Sequence, residues 1–182
     1  MKTEFFKERY DFELTLREQL SERTSTPLTV ITALGGALVF FIHNYPFSGD
    51  CWTALFVLLL AAFGLALFVA IYSIFEANMA GQYKAVADGS ELMEWYDELL
   101  KHYEKDEAKA DAEFERGLCE RYHATTKVNA QVNARKVKAL ARANWALAFA
   151  AALALLTSIP YLVSLANKED KPMKIEIVKG AL

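Results

Sequence analysis

The chain is poor in the residues that punctuate or cross-link a fold. It has four prolines and two cysteines in 182 residues, and residues 76–142 contain no proline at all. Cys51 and Cys119 lie in different polar blocks, on opposite sides of the membrane in the topology argued below. Neither a disulfide nor a metal-type cysteine pair is expected from them. Histidine is as sparse, and His43, His102 and His123 stand apart from one another. No glycine-rich phosphate loop, HExxH, GxSxG or zinc-type Cys/His spacing occurs. Glu104, Asp106, Glu107, Asp111, Glu113 and Glu115 form an acidic cluster that a solvated hairpin turn explains better than paired catalytic carboxylates do. These gaps argue against an enzyme, a nuclease or nucleotide cyclase included, and imply no cofactor and no metal. No run of bases resembles a nucleic-acid-binding arm, so no direct nucleic-acid binding is expected.

Charge is missing in a patterned way. No Asp, Glu, Lys or Arg occurs in residues 27–49, 51–75 or 143–167, and only Asp50 separates the first two stretches. The chain is 54% hydrophobic and 24% charged, and the two classes occupy separate blocks. Residues 1–26 interleave Lys2, Lys7, Arg9, Arg17 and Arg23 with acids and offer no early apolar run. A cleavable signal peptide is therefore not expected, and insertion would rely on the internal apolar segments.

Three spans are expected. Trp52 to Phe75 is uncharged over more than the ~20 residues that a helix needs to cross the hydrocarbon core, and Ser48 or Asp50 can cap its start. Trp145 to Ala166 is comparable, with Trp145 and Tyr161 as interfacial aromatics, and Pro160 should kink or end the regular helix. Leu28 to Ile42 is shorter, in the range where a re-entrant or buried helix competes with a span. His43 to Phe47, as an interfacial belt, brings it to spanning length. Thr26 followed by Pro27 reads as cap and first-turn proline. The loop from Asn44 to Cys51 has no base, whereas residues 1–26 have five and the approach to the third span carries Lys127, Arg135, Lys136, Lys138 and Arg142. Bases concentrate on the inner side. The amino terminus and residues 76–142 are thus expected in the cytoplasm, with the carboxyl tail outside despite Lys168, Lys171, Lys174 and Lys179. Re-entry of the third segment around Pro160 would instead keep that tail inside.

The expected architecture is an all-α membrane protein: a transmembrane helical hairpin, plus a third transmembrane helix continuous with a long cytoplasmic helical stalk. Its parts are a cytoplasmic amphipathic helix (1–26), spans over 27–47, 52–75 and 143–166, a cytoplasmic helical hairpin (76–142) and a polar tail (167–182). In the hairpin, the second span should run on as helix to about Ala87, where Asp88-Gly89 breaks it. Leu92, Trp95, Tyr96, Leu99 and Tyr103 then mark one apolar helix face. Phe114, Leu118, Tyr122, Thr125, Asn129, Val132 and Ala139 mark the next. Within residues 1–26, Phe5, Phe12, Leu16 and Leu20 share a face that can lie on the bilayer or pack on the stalk.

Spans associate through small residues, because lipid is as apolar as leucine. Ala143, Ala146, Ala150 and Ala154 form one stripe with Ala139, Ala62, Ala66 and Ala70 form another, and Gly35-Gly36 sit in the first span. These stripes can pack within one chain or between copies. Asn129 and Asn133 on the stalk can set register between copies, or be solvated or intrahelical. The basic run from Lys127 to Arg142 can meet anionic headgroups, though juxtamembrane charge needs no ligand. Apart from the edge residue His43, no ionisable group lies in a span, which argues against a secondary transporter.

In layout the sequence resembles the SLATT-type membrane effectors of bacterial conflict systems. The matching features are Tyr10 with Glu13 to Leu20, Leu28-Thr29-Val30 through Ala33-Leu34-Gly35-Gly36, and Arg121-Tyr122 followed by Asn129, Asn133, Arg135, Leu140 and Ala143. The third span departs from that family's usual two. The resemblance implies a multi-pass protein of the bacterial inner membrane acting as a homo-oligomer in the lipid bilayer. Its partner would be a sensor protein or a nucleotide-signalling system, and its activity pore formation or membrane disruption that stops growth during phage infection. The competing expectation is a membrane anchor or scaffold that recruits a soluble partner through residues 88–142.

Overall fold

The computed structural model describes residues 2–47 and 49–169. The described residues form five helices: α1 (Lys2–Glu22), α2 (Ser25–Asn44), α3 (Cys51–Asn78), α4 (Gly89–His102) and α5 (Glu107–Glu169). No strand occurs among the described residues. Contacts divide the chain into two units. The first, polar unit gathers Met1–Thr26 and Ser73–Arg142; the second, apolar unit gathers Pro27–Tyr72 and Ala143–Leu182. Both α3 and α5 contribute residues to each unit.

In the apolar unit, α2, α3 and α5 bury a core of Phe41, Tyr45, Phe63, Leu67, Leu147 and Leu153 among others. Tyr45 stacks on Phe56 with ring centroids 3.6 Å apart, and Tyr161 packs against Phe41 at 5.7 Å. This aromatic cluster closes the α2–α3 hairpin. Asp50 caps α3, its Oδ1 accepting from the Thr53 N–H at 2.9 Å; the alternative cap, Ser48, lies outside the described residues. The outer faces carry Val39, Leu58, Leu65, Phe68, Phe149 and Leu162, all exposed. Leaving such side chains in water costs about 25 cal/mol per Å², so this surface calls for an apolar solvent.

Among the described residues, three helices are long and apolar enough to cross a membrane. The most apolar window near the amino terminus is 11% buried, against 28% in each of the other two. The short first segment is therefore the peripheral member of its bundle. Pro27 falls in the first turn of α2, which begins at Ser25, where its missing N–H leaves no bond unmade.

Of the two outcomes expected at Pro160, a kink or an end of the helix, the second does not occur: α5 continues to Glu169 with Pro160 inside it. A proline in an apolar bundle is tolerated where neighbouring helices and hydroxyls take up freed backbone groups. Pro160 is buried; the Thr157 and Ser158 hydroxyls bond the carbonyls of Leu153 and Leu155, not that of Leu156, which a proline at 160 leaves without its helical donor. One sequence expectation needs correction: α3 stops at Asn78 rather than near Ala87, and residues 81–88 form a non-helical strap. Gly81 adopts φ +135°, a conformation that L side chains rarely adopt, and Lys84 bonds to α5 rather than continuing a helix. The polar tail expected over 167–182 falls outside the described residues from 170 onward.

In the polar unit, α1 runs parallel to α5. Thr3 meets Cys119, Phe6 meets His123, Tyr10 meets Tyr122, and Leu20 packs with Ala139 and Leu140. The amphipathic helix thus packs on α5, although Phe5 and Phe12 stay exposed. The helices α4 and α5 form a hairpin through Trp95, Tyr96 and Phe114. Trp95 lies so close to α5 that a Cβ on Gly117 would stand 2.5 Å from its ring. Asp88 caps α4 by accepting from the N–H groups of Ser90 and Glu91. The turn between the helices places Glu104 and Lys105 at φ 50° and 68°, with Asp106 accepting from the Lys109 N–H at 3.3 Å.

Candidate functional site: a polar clamp around Asn129 and Asn133

The two asparagines are four residues apart on α5 and so share one face. That face is turned into the polar unit, where Asn129 is 0% and Asn133 2% exposed. A buried amide is costly unless its donors and acceptor are used. Asn129 meets the requirement by mimicking backbone: its Oδ1 accepts from the Lys84 N–H at 2.9 Å and its Nδ2 donates to the Lys84 carbonyl at 3.0 Å. One side chain thereby satisfies both backbone groups of a residue that has left the helix, which anchors the strap.

Asn133 joins three elements. Its Oδ1 accepts from the Tyr83 hydroxyl at 2.6 Å, and its Nδ2 donates to both the carbonyl and Oε2 of Glu13 at 2.9 Å. Glu13 is a carboxylate only 3% exposed, and Arg9 stands 3.8 Å from its other oxygen. The Tyr83 ring is covered by two cations, the Arg17 guanidinium at 4.7 Å and the Lys136 ammonium at 5.1 Å from its centroid. Such contacts strengthen as they are desolvated.

The electrostatics follow from this enclosure. Burial pushes the Tyr83 phenol above its ordinary value; Arg17 opposes that shift and Glu13 adds to it. Burial and then the nearby Arg17 lower the Lys136 ammonium below the usual lysine range. The arrangement holds the strap to α1 and α5 through directional bonds. Among the described residues, no three His, Cys, Asp or Glu side chains converge as a metal site would require.

The other residues singled out from sequence divide by location. Ala66, Ala70, Ala143 and Ala150 are buried within the chain, and Ala62, Ala146 and Ala154 are partly buried against the apolar core. At Gly35 and Gly36 a Cβ would meet nothing within 4 Å, so this pair faces open space. Lys127, Arg135 and Lys138 are exposed, Lys136 covers Tyr83, and Arg142 pairs with Glu76 at 2.9 Å. Tyr83, Arg17 and the buried role of Glu13 were not among the residues expected from sequence. Glu13 and Arg17, one turn apart on the face that Tyr10 and Leu20 share, were the available signal. Charge in α4 and α5 is also more sharply divided than the composition suggests. Residues 88–120 hold twelve acids and four bases, whereas 121–142 hold six bases and no acid.

Comparison with protein-family models, with curated proteins and with solved structures gives no match. The fold and the clamp therefore rest on the residues of this chain alone.

Proposed function

We propose that this chain is a non-enzymatic, homo-oligomeric membrane effector whose polar unit takes up a signal and whose spans then open or disrupt the bilayer. The observation that carries the reading is that the clamp lies on α5, the same helix that supplies an apolar segment to the second unit. A local change at Asn133 thus acts on an element that can cross a membrane, and switches of this kind need such a two-state element. The asymmetric distribution of bases supports a cytoplasmic polar unit. The resemblance to SLATT-type effectors supports a setting in the bacterial inner membrane, with growth arrest during phage infection as the outcome. A sensor protein or a nucleotide-signalling partner would supply the trigger.

Induced expression in bacteria with a potential-sensitive dye tests this. Depolarisation and growth arrest are expected at high expression, and at lower expression when Asn133→Ala loosens the clamp. Normal potential and growth with both forms abundant in the membrane would overturn the proposal.

The charge division favours one second reading, a membrane anchor that recruits a soluble partner through residues 88–142. The acid-rich stretch 88–120 suits a basic partner. That reading predicts a monomer or dimer in detergent and a partner recovered by pull-down, without depolarisation.

A further inference from the structure

The strap leaves a hollow of about 450 Å³ between itself, the start of α4 and the middle of α5. All three walls belong to the polar unit. The strap supplies Lys84 and Val86, α4 supplies Glu91, and α5 supplies Arg121, Thr125 and Val128. The Lys84 backbone is held by Asn129, so its side chain starts from a fixed point on the wall.

The polar groups of this hollow are unused. Among the described residues, none of its three charges, Lys84, Arg121 and Glu91, has an ion pair. Glu120, next to Arg121 in sequence, is taken by Arg116 at 3.4 Å, and residues 121–142 contain no acid. Arg121 lies instead over the Trp95 ring, its guanidinium 4.6 Å from the ring centre. Stacking of this kind occupies the face of the guanidinium and leaves its N–H edge free to bond. Thr125 is only 8% exposed, yet its hydroxyl has no hydrogen-bond partner among the described residues. Thr157, on the same helix, bonds the carbonyl four residues back; Thr125 does not. A polar group this enclosed is costly unless bonded, and the hollow is where a partner can enter.

A guanidinium edge, an ammonium and a hydroxyl make three kinds of donor around one space. A phosphate monoester offers three terminal oxygens with roughly 1.5–2 negative charges near pH 7, and charge-assisted bonds to it are short and strong. Val86 and Val128 give the organic part of such an ester an apolar wall. Glu91 sets the limit. With two bases and one acid the lining has a single positive charge in excess, which disfavours diphosphates and triphosphates.

We propose that the hollow between the strap, α4 and α5 binds a small phosphate monoester through Arg121, Lys84 and the Thr125 hydroxyl. An occupant bridges the strap to both helices beside Asn129, so on the effector reading above this is where a signal enters. Binding itself needs neither an oligomer nor a pore, and its failure leaves that reading standing.

The test adds detergent-solubilised full-length chain to monobutyl phosphate and follows the phosphorus NMR line width. Saturable broadening is expected, and n-butanol, which lacks the anion, should not reverse it. Arg121→Gln should weaken binding by about tenfold or more, the usual worth of a hydrogen bond to a charged group. Thr125→Val deletes a hydroxyl that makes no bond in the fold, and should weaken binding by about fivefold. Lys127→Gln removes the same charge from an exposed position outside the lining and should change affinity by less than about twofold. Micelles doped with phosphatidic acid separate two sources of the same group: displacement of monobutyl phosphate assigns a lipid headgroup, and its absence a water-soluble ester. No saturable broadening, reversal by n-butanol, or equal losses from Lys127→Gln and Arg121→Gln would overturn the site.

Discussion

Replacing Asn133 with alanine tests the clamp most stringently. The substitution removes three hydrogen bonds at once, to the Tyr83 hydroxyl, the Glu13 carbonyl and Glu13 Oε2. The carbonyl loses little, since it lies inside α1 and keeps its helical partner. The Tyr83 side chain is half-buried, and water can replace its bond at about 0.5–1.5 kcal/mol. The carboxylate dominates. It is left buried with no hydrogen-bond donor and with Arg9 at 3.8 Å, too far to bond. Orphaning a buried charge costs about 3–5 kcal/mol. Much of this should appear as local opening, because Tyr83 belongs to the strap. At about 1.4 kcal/mol per tenfold, a loss of some 3 kcal/mol raises the open population roughly a hundredfold. Limited trypsin cleavage after Lys84, followed by mass spectrometry in detergent, reads that population when reclosing is fast. Adding Glu13→Leu removes the buried charge itself and should return about 2 kcal/mol of the loss, a coupling that a double-mutant cycle isolates. A change in cleavage of less than tenfold for Asn133→Ala, or no relief from Glu13→Leu, would refute the account of the clamp.

Three further outcomes are expected. Gly117→Ala drives a methyl group to within 2.5 Å of Trp95 and should destabilise the α4–α5 hairpin by about 1–3 kcal/mol, read by tryptophan fluorescence during denaturation; an unshifted midpoint would contradict the close packing. Ser90 and the N–H groups of α4 hold the Asp88 carboxyl below the usual carboxylate range. Its contribution is therefore complete above the ordinary aspartate value and is lost as pH falls through the lowered one, so Asp88→Asn should flatten the acid side of hairpin stability. Ala150→Leu should unfold the apolar unit because Ala150 is wholly buried, whereas Gly36→Leu should leave its melting temperature within a few degrees because open space surrounds Gly36.

The helices were legible in the sequence because a helix able to cross a bilayer has a simple pattern, a long uncharged segment bounded by charge. Charge-free stretches mark α2, α3 and the end of α5, and three-and-four spacing marks α4. What escaped was decided by tertiary partners. The run Gln82-Tyr83-Lys84-Ala85-Val86-Ala87 has nothing in its composition that forbids helix; it is a strap because Asn129 bonds both backbone groups of Lys84. Phe5 and Phe12 share periodicity with Leu16 and Leu20, yet only the leucines pack inward, because α5 meets α1 on the side of Tyr10 and Glu13. Asn129 and Asn133 were visible as polar residues on a seam, but a lone sequence does not reveal that their partners lie 45 and 120 residues away. Nor does it separate small residues that pack within the chain, such as Ala150, from those that face outward, such as Gly36.

Loosening the polar unit should open the bilayer through an assembly of copies. Potassium efflux from liposomes holding equal amounts of inserted wild-type or Asn133→Ala chain reads that step. Efflux should be faster for Asn133→Ala and should rise more steeply than in proportion to the number of copies per vesicle. Equal retention of the gradient by both forms at every protein density would overturn this coupling.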